Sequence, residues 1–318
     1  MNGRWVWQPE DCVTQVDATV WQIDLGFQGR RGVIAAYLLA GPNELALIET
    51  GPTSTMPTLL DGIRQAGFAP EQLTHLLVTH IHLDHAGAAG PLLREFPTAK
   101  LYVHPFGASH MIDPAKLLSS ATRIYGDQMD TLWGEVAPIT AEQVVSLTDG
   151  ETLHVAGHHL EVIFTPGHAS HHVAFADLKA GAMYTGDVGG IRMPGTDYVC
   201  APTPPPDLDP DAWRASVERL RAVHARRLYL THFGAVDDAP AHLDQIVPDL
   251  DAFIMIAEET FEAGGDGEML TANLHAYMSA ALGNVPDDLV TNLEWSTPSY
   301  MATLGLTRYL KKSGRLAG

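Results

Sequence analysis

The sequence predicts a layered α/β protein, and three observations carry that expectation. Four short apolar runs with strand composition each lead directly into polar residues able to bind a metal or a proton. Leu76-Leu77-Val78 precedes His80-Ile81-His82-Leu83-Asp84-His85, and Glu161-Val162-Ile163-Phe164 precedes Thr165-Pro166-Gly167-His168. Ala182-Met183-Tyr184 precedes Thr185-Gly186-Asp187, and Arg227-Leu228-Tyr229-Leu230 precedes Thr231-His232. Buried strands that deliver polar groups from their carboxyl ends are how layered α/β proteins build sites. Segments with helical apolar spacing precede and separate these runs, Pro57 to Ala66 ahead of the first and Trp213 to Val223 ahead of the last. Finally, 318 residues with 46% hydrophobic and 18% charged side chains suffice for one large domain, or for a domain with a helical appendage.

The elements follow in order. Thr14 to Leu25 and Val33 to Ala40 read as strands, and Gly41-Pro42-Asn43-Glu44 as a turn into the strand Leu45 to Ile48. Pro57 to Ala66 is a short amphipathic helix closed by Gly67. Gly90 to Phe96 reads as a helix behind the histidine cluster, and Leu101-Tyr102-Val103 as a strand. His104 to Thr140 is long for a connection and rich in large side chains (Met111, Tyr125, Met129, Trp133), so it is either a wall or lid beside a site or a set of helices packed on the sheet. Met193 to Pro210 holds six prolines and reads as a stiff, extended loop ending in a helix start at Asp209-Pro210-Asp211. Beyond it, Ile246, Leu250, Phe253, Ile254 and Ala257 recur at helical spacing up to Gly264-Gly265. Met269 to Leu282 and Met301 to Leu310 read as two further helices, the last ending in Lys311-Lys312, which suits a helix carboxyl end.

The hexapeptide is the most specific signal. Three imidazoles and a carboxylate this close gain little from folding and are costly to desolvate without a partner. A bound cation supplies one, because zinc, iron and manganese take imidazole nitrogen and carboxylate oxygen. Each later segment is weak alone; in series they converge on one metal site.

This order of His-x-His-x-Asp-His, Thr-Pro-Gly-His, Thr-Gly-Asp and Thr-His resembles the metallo-β-lactamase superfamily, in particular its glyoxalase II-like branch, from about Val16 to about Gly234. The resemblance implies a four-layer αββα sandwich, in a catalytic domain read as residues 1–238; residues 239–318 lie outside the shared pattern, and their helical spacing reads as an all-α C-terminal appendage that packs on the sandwich or mediates a homodimer. It implies two divalent metal ions per chain, zinc in the first place and iron or manganese as alternatives. His80, His82 and His168 would hold one ion, Asp84, His85 and His232 the other, and Asp187 would bridge them. His172 falls where the family often repeats a histidine. Glu49, after the strand Leu45 to Ile48, stands where the family usually has aspartate. A longer acid there still suits a partner behind a ligand imidazole.

The implied activity is hydrolysis of a small ester, thioester or lactone by a metal-activated water, the two ions sharing the developing charge. Asp84 and Asp187 would then have two roles, ligand and acceptor of the nucleophile's proton. Tyr198, a few residues beyond Asp187, is a candidate to hydrogen-bond the substrate carbonyl. The principal alternative is a mononuclear non-haem iron sulfur (persulfide) dioxygenase using His80, His168 and Asp187, a two-histidine, one-carboxylate set. No Gly-x-Ser-x-Gly occurs to suggest a serine nucleophile.

Composition narrows the partners. A net charge of −19 repels phosphate backbones, so a small-molecule substrate is expected rather than nucleic acid. No apolar run approaches a membrane span, and Met1 to Asp11 lacks a basic segment followed by an apolar core. Cys12 and Cys200 form no paired motif. A cytoplasmic protein is the expectation.

Overall fold

The computed structural model describes residues 12–316; the Met1 to Asp11 segment, read above for a leader, lies outside them. Two mixed sheets stand face to face. The first holds β1 (Val13–Asp17), β2 (Val20–Asp24), β3 (Ala35–Ala40), β4 (Leu45–Ile48), β5 (Leu73–Leu77), β6 (Lys100–Val103) and β7 (Val144–Ser146), in that spatial order. The second runs from β8 (Thr152–Val155) through β9 (His158–Phe164), β10 (Val173–Asp177), β11 (Ala182–Tyr184) and β12 (Arg227–Leu230) to β13 (Gly234–Val236). The stretch Thr14 to Leu25, expected as one strand, is a hairpin. Its chain reverses where the Asp17 carboxylate accepts from the Ala18 amide at 2.6 Å, the local bond by which Asp favours turns.

Three apolar layers explain the stacking. Val20, Tyr37, Leu39, Ile48 and Leu77 of the first sheet meet Leu160, Val162, Phe175 and Tyr229 of the second. The outward residues of the first sheet, such as Leu38, Leu47 and Leu101, bury Leu59, Ile63 and Leu92. These come from helices α1 (Met56–Gln65) and α3 (Ala89–Glu95), with the short α2 (Leu83–Ala86) between them in sequence. Strands buried on both faces need no polar alternation, which is why β3 reads as an unbroken apolar run. The insertion after β6 forms α4 (Pro105–Ile112), α5 (Ala115–Tyr125) and α6 (Met129–Leu132). On the far side, α7 (Pro210–Ala222) covers the second sheet; Asp209 caps it as the sequence suggested, accepting from Asp211 and Ala212 amides at 3.1 and 3.0 Å. The result is an αββα sandwich.

Residues after 238 form α8 (Ala239–Glu262), α9 (Gly267–Leu282), α10 (Asp287–Ser296) and α11 (Ser299–Lys312). Leu250, Phe253, Leu274 and Leu306 join Met183, Val188 and Trp213 in one continuous core with the second sheet. Helix α10 was not anticipated: its buried apolar face is only Leu289 and Leu293, although Pro286-Asp287-Asp288 carries a helix-start signal. No helix among the described residues is long and apolar enough to cross a membrane.

One glycine sets how closely these helices approach the site. A Cβ at Gly305, inside α11, would stand 2.0 Å from the Thr203 carbonyl oxygen and 2.8 Å from the Pro204 carbonyl carbon. Glycine inside a helix costs up to about 1 kcal/mol relative to alanine, so helix propensity alone would favour Gly305→Ala. The contact reverses that sign, because overpacking against backbone costs about 1–3 kcal/mol. Gly305→Ala is therefore expected to lower stability in urea unfolding, and an unchanged or raised midpoint would show that the proline-rich loop yields freely.

Candidate metal centre

The carboxyl ends of β4, β5, β9, β11 and β12 feed one pocket edge. Past β5 the chain runs extended to His82 and then turns into α2, so His80 and His82 precede the helix while Asp84 and His85 lie within it. The loops after β9, β11 and β12 bring His168, Asp187 and His232. Ring centroids of His80 lie 3.9 Å from His85 and 4.9 Å from His168, and those of His85 and His232 are 5.3 Å apart. Gly186 makes this crowding possible: its φ is +50°, and a Cβ there would stand 2.5 Å from Thr79 Oγ1 and 2.6 Å from His172 Nε2.

Hydrogen bonds behind the ring nitrogens settle which way the lone pairs face. His168 Nδ1 lies 3.0 Å from the Pro202 carbonyl oxygen and His232 Nδ1 2.6 Å from that of Val33; a carbonyl only accepts, so both rings donate backwards. His85 Nδ1 likewise donates to Glu49 Oε1 at 3.0 Å. Thr79 directs its hydroxyl proton to Glu49 Oε1 at 2.5 Å, which leaves its oxygen to accept from His80 Nδ1 at 3.1 Å. The Nε2 atoms of these four rings therefore turn forward. His82 adds its Nδ1, 2.9 Å from His80 Nε2 and 3.1 Å from His168 Nε2. One proton on His82 can serve only one of those two lone pairs.

Asp187 stands between two groups of nitrogens: its Oδ2 is 3.3 Å from His168 Nε2, and its Oδ1 is 3.2 Å from His85 Nε2. Asp84 Oδ2 lies 3.4 Å from His232 Nε2 and 3.7 Å from His85 Nε2. The donor atoms of His80, His82 and His168 lie within 4.8 Å of one another, as do those of His80, His85 and Asp187 and those of Asp84, His85 and His232. His85 Nε2, His232 Nε2 and Asp187 Oδ1 are buried without hydrogen-bond partners. Lone pairs and anionic oxygens that converge without donors fit divalent cations of the zinc, iron and manganese kind.

The electrostatics agree. Burial holds the His80 and His168 imidazoles below their usual range and His82 down to about 4, so all three rings are neutral at neutral pH. For His85 and His232 burial acts the same way, but Asp187 and Asp84 outweigh it and lift both above the ordinary imidazole value. Burial works to raise Asp187 and Asp84 in turn, and His85 in front outweighs it, leaving Asp84 at about 2. The half of the site richest in carboxylates thus calls for positive charge.

Other candidates land elsewhere. His172 is not among the converging donors: its Nδ1 meets Thr165 Oγ1 at 2.8 Å, and its ring stacks behind His80 at 5.0 Å. Tyr198 is not brought to the pocket. Its ring packs against Tyr277, 6.5 Å between centroids, in the core beneath the C-terminal helices, because the loop after Asp187 turns away before reaching it. His171 was overlooked; its buried Nδ1 has no partner, and burial pushes its pKa down to about 3. A cavity of about 430 Å³ opens onto the site, floored by His82, Asp84, His168, His171 and Asp187. Its walls come from α5, the proline-rich loop and residues 296–301, so the C-terminal segment does reach the site. No local pattern in the sequence could show that.

Comparisons with known proteins converge on one family. The signature described as the metallo-beta-lactamase superfamily matches residues 29–232. A hydroxyacylglutathione hydrolase of Synechococcus sp. (strain JA-2-3B'a(2-13)) is 25% identical over 287 residues, spanning 89% of this chain and 92% of that protein. A metallo-beta-lactamase fold-containing protein of Sulfurisphaera tokodaii is 26% identical over 220 residues, 68% of this chain and 79% of its own length. Among solved structures, a metallo-beta-lactamase family protein from Thermus thermophilus has the same fold, with a TM-score of 0.67 at 23% identity over 89% of this chain and 90% of that one.

Proposed function

The chain belongs to the metallo-β-lactamase superfamily, and from that premise we propose that it is a dinuclear metal-dependent hydrolase of a small ester, thioester or lactone. The observation that carries this reading is the position of Asp187, whose two oxygens face separate groups of imidazole lone pairs. His80, His82 and His168 would hold one divalent ion, Asp84, His85 and His232 the other, and Asp187 would contact both. Ions held there supply the charge that acidifies a water and polarises a carbonyl.

The remaining work falls to the chain itself. Glu49, Pro202 and Val33 lock the rings of His85, His168 and His232, so little reorganisation is left for the reaction. Asp84 lines the cavity beside His85 and His232, a position from which its carboxylate would accept the proton of the attacking water. His171 lines the cavity as a neutral imidazole, which suits it to pack beside a bound substrate without adding charge. Residues 1–238 carry every proposed ligand, and 239–318 complete the cavity wall. Metal analysis of protein purified without chelators tests the reading. About two zinc per chain, with ester or thioester cleavage, supports it. About one iron, with oxygen uptake on a persulfide, would replace it with the dioxygenase.

The two halves of the site should also respond differently to pH. In metal-free protein the raised His85 and His232 values add stability that is complete below the unfolded imidazole value of about 6.5. That stability is lost as pH rises through their folded values. Asp84 and Asp187 are depressed and stay ionised throughout this window, so they add no slope there. Metal-free protein is therefore expected to melt at lower temperature as pH rises beyond about 7.5, one unit past the unfolded imidazole value, where the depressed His80, His82 and His168 carry no charge in either state. Metal retention should move the opposite way, since protons compete for the ligands. On acidification the ion at Asp84, His85 and His232 should leave first, because its imidazoles take up protons before the neutral His80, His82 and His168. Calorimetric melting and metal content against pH check both slopes; loss of both ions in one step would contradict the ordering.

A further inference from the structure

The wall of the cavity says which substrates fit. Leu117, Ala121 and Ile124 recur at helical spacing along α5 and all face the cavity, with Trp133 beside them. Met301 and the prolines from Pro202 to Pro206 line the same cavity. Phe106, 67% exposed, continues the apolar surface to the lip. Charge is sparse along this path: among the described residues lining the cavity, Lys116 is the only Lys or Arg, and the one carboxylate beyond the metal centre is Asp207. A glutathionyl group would bring two carboxylates and an ammonium into this channel and find one cation for the pair of acids. Burying charges without partners is costly, whereas an alkyl chain gains by leaving water.

We propose that the substrate is an acyl ester, thioester or lactone whose acyl group is an unbranched, apolar chain of medium length, laid along the α5 stripe and covered by Met301, and that glutathione thioesters are disfavoured. This rests on the hydrolase reading above and deepens it. The C-terminal segment then sets chain-length preference, since Met301 lies on α11.

The test uses the full-length, metal-loaded protein and N-acetylcysteamine thioesters from acetyl to octanoyl, with S-lactoylglutathione beside them. kcat/KM is expected to rise about three- to fourfold per added methylene until the channel is filled, as the transfer of one methylene from water implies. S-lactoylglutathione should fall at least tenfold below the best acyl chain. Ala121→Trp, which blocks the middle of the stripe, should move the optimum to shorter chains, and Met301→Ala should move it to longer ones. A flat or falling series, or a preference for S-lactoylglutathione, overturns the proposal and leaves the hydrolase reading standing. If no thioester or ester is turned over, the hydrolase reading fails, and calorimetric titration with the uncleavable S-octyl and S-ethyl thioethers of N-acetylcysteamine decides the channel separately. Binding at least tenfold tighter for octyl upholds it; equal affinities sink it. Melting curves show whether Ala121→Trp folds, and the thioether titration on unaltered protein needs no variant.

Discussion

Asp187→Ala is expected to remove bound metal and hydrolytic turnover together, lowering turnover by more than about a hundredfold. Partners behind metal ligands already cost about 10- to 100-fold when lost, and Asp187 faces both nitrogen groups directly, at 3.2 Å from His85 and 3.3 Å from His168. The fold should survive, because the core between the sheets is apolar and separate from the site. Asp187→Asn is the sharper comparison. It keeps the shape, removes the charge, and turns one oxygen into a donor that has only lone pairs and imidazole edges before it. Metal content by elemental analysis, circular dichroism and turnover on one preparation settle the matter. Either variant with a full metal complement and full turnover would remove Asp187 from the centre.

Glu49→Gln should produce the second large effect without touching a metal at all. The Glu49 carboxylate is fully buried and accepts from His85 Nδ1, the Thr79 amide, the Thr79 hydroxyl and the Thr231 hydroxyl, at 3.0, 3.2, 2.5 and 3.2 Å. All four neighbours are donors, and an amide nitrogen in place of one oxygen would set donor against donor. An unsatisfied buried group costs about 1–3 kcal/mol, and a ligand imidazole released from its carboxylate loses about 10- to 100-fold in metal affinity. Both are measurable, by urea unfolding of the metal-free protein and by chelator competition. Glu49→Asp adds a further check. The backbone at Glu49 sits at φ +66°, unusual for a residue with a side chain, and its reach places Oε1 on His85. The shorter acid should therefore weaken metal binding even though it preserves the charge. Wild-type affinity in both variants would mean that His85 is oriented by something else.

The chemistry of this protein was written locally. Strand composition followed at once by histidine and aspartate in four segments marked the candidate groups, because a strand end and a loop residue are neighbours in sequence, and the resemblance of their order to a known family singled out the seven side chains whose donor atoms cluster. The same locality recovered α1, α7 and the β4–β5 frame, and it missed α10, whose apolar face is only two residues wide. Where each long-range partner lands was decided elsewhere. Pro202 reaches His168 across 34 positions, Glu49 reaches His85 across 36, and Val33 reaches His232 across 199. Tyr198 shows the limit from the other side. Its short distance from Asp187 in sequence suggested the pocket, yet packing against Tyr277 carried it into the C-terminal core. The amino-acid sequence by itself determined which groups could bind a metal and on which elements they ride. Only the tertiary structure decided which nitrogen of each ring faces inward, and that α5 and α11 enclose an apolar channel above them. Those outcomes depend on how sheets and helices pack, and packing energy belongs to surfaces assembled from distant segments.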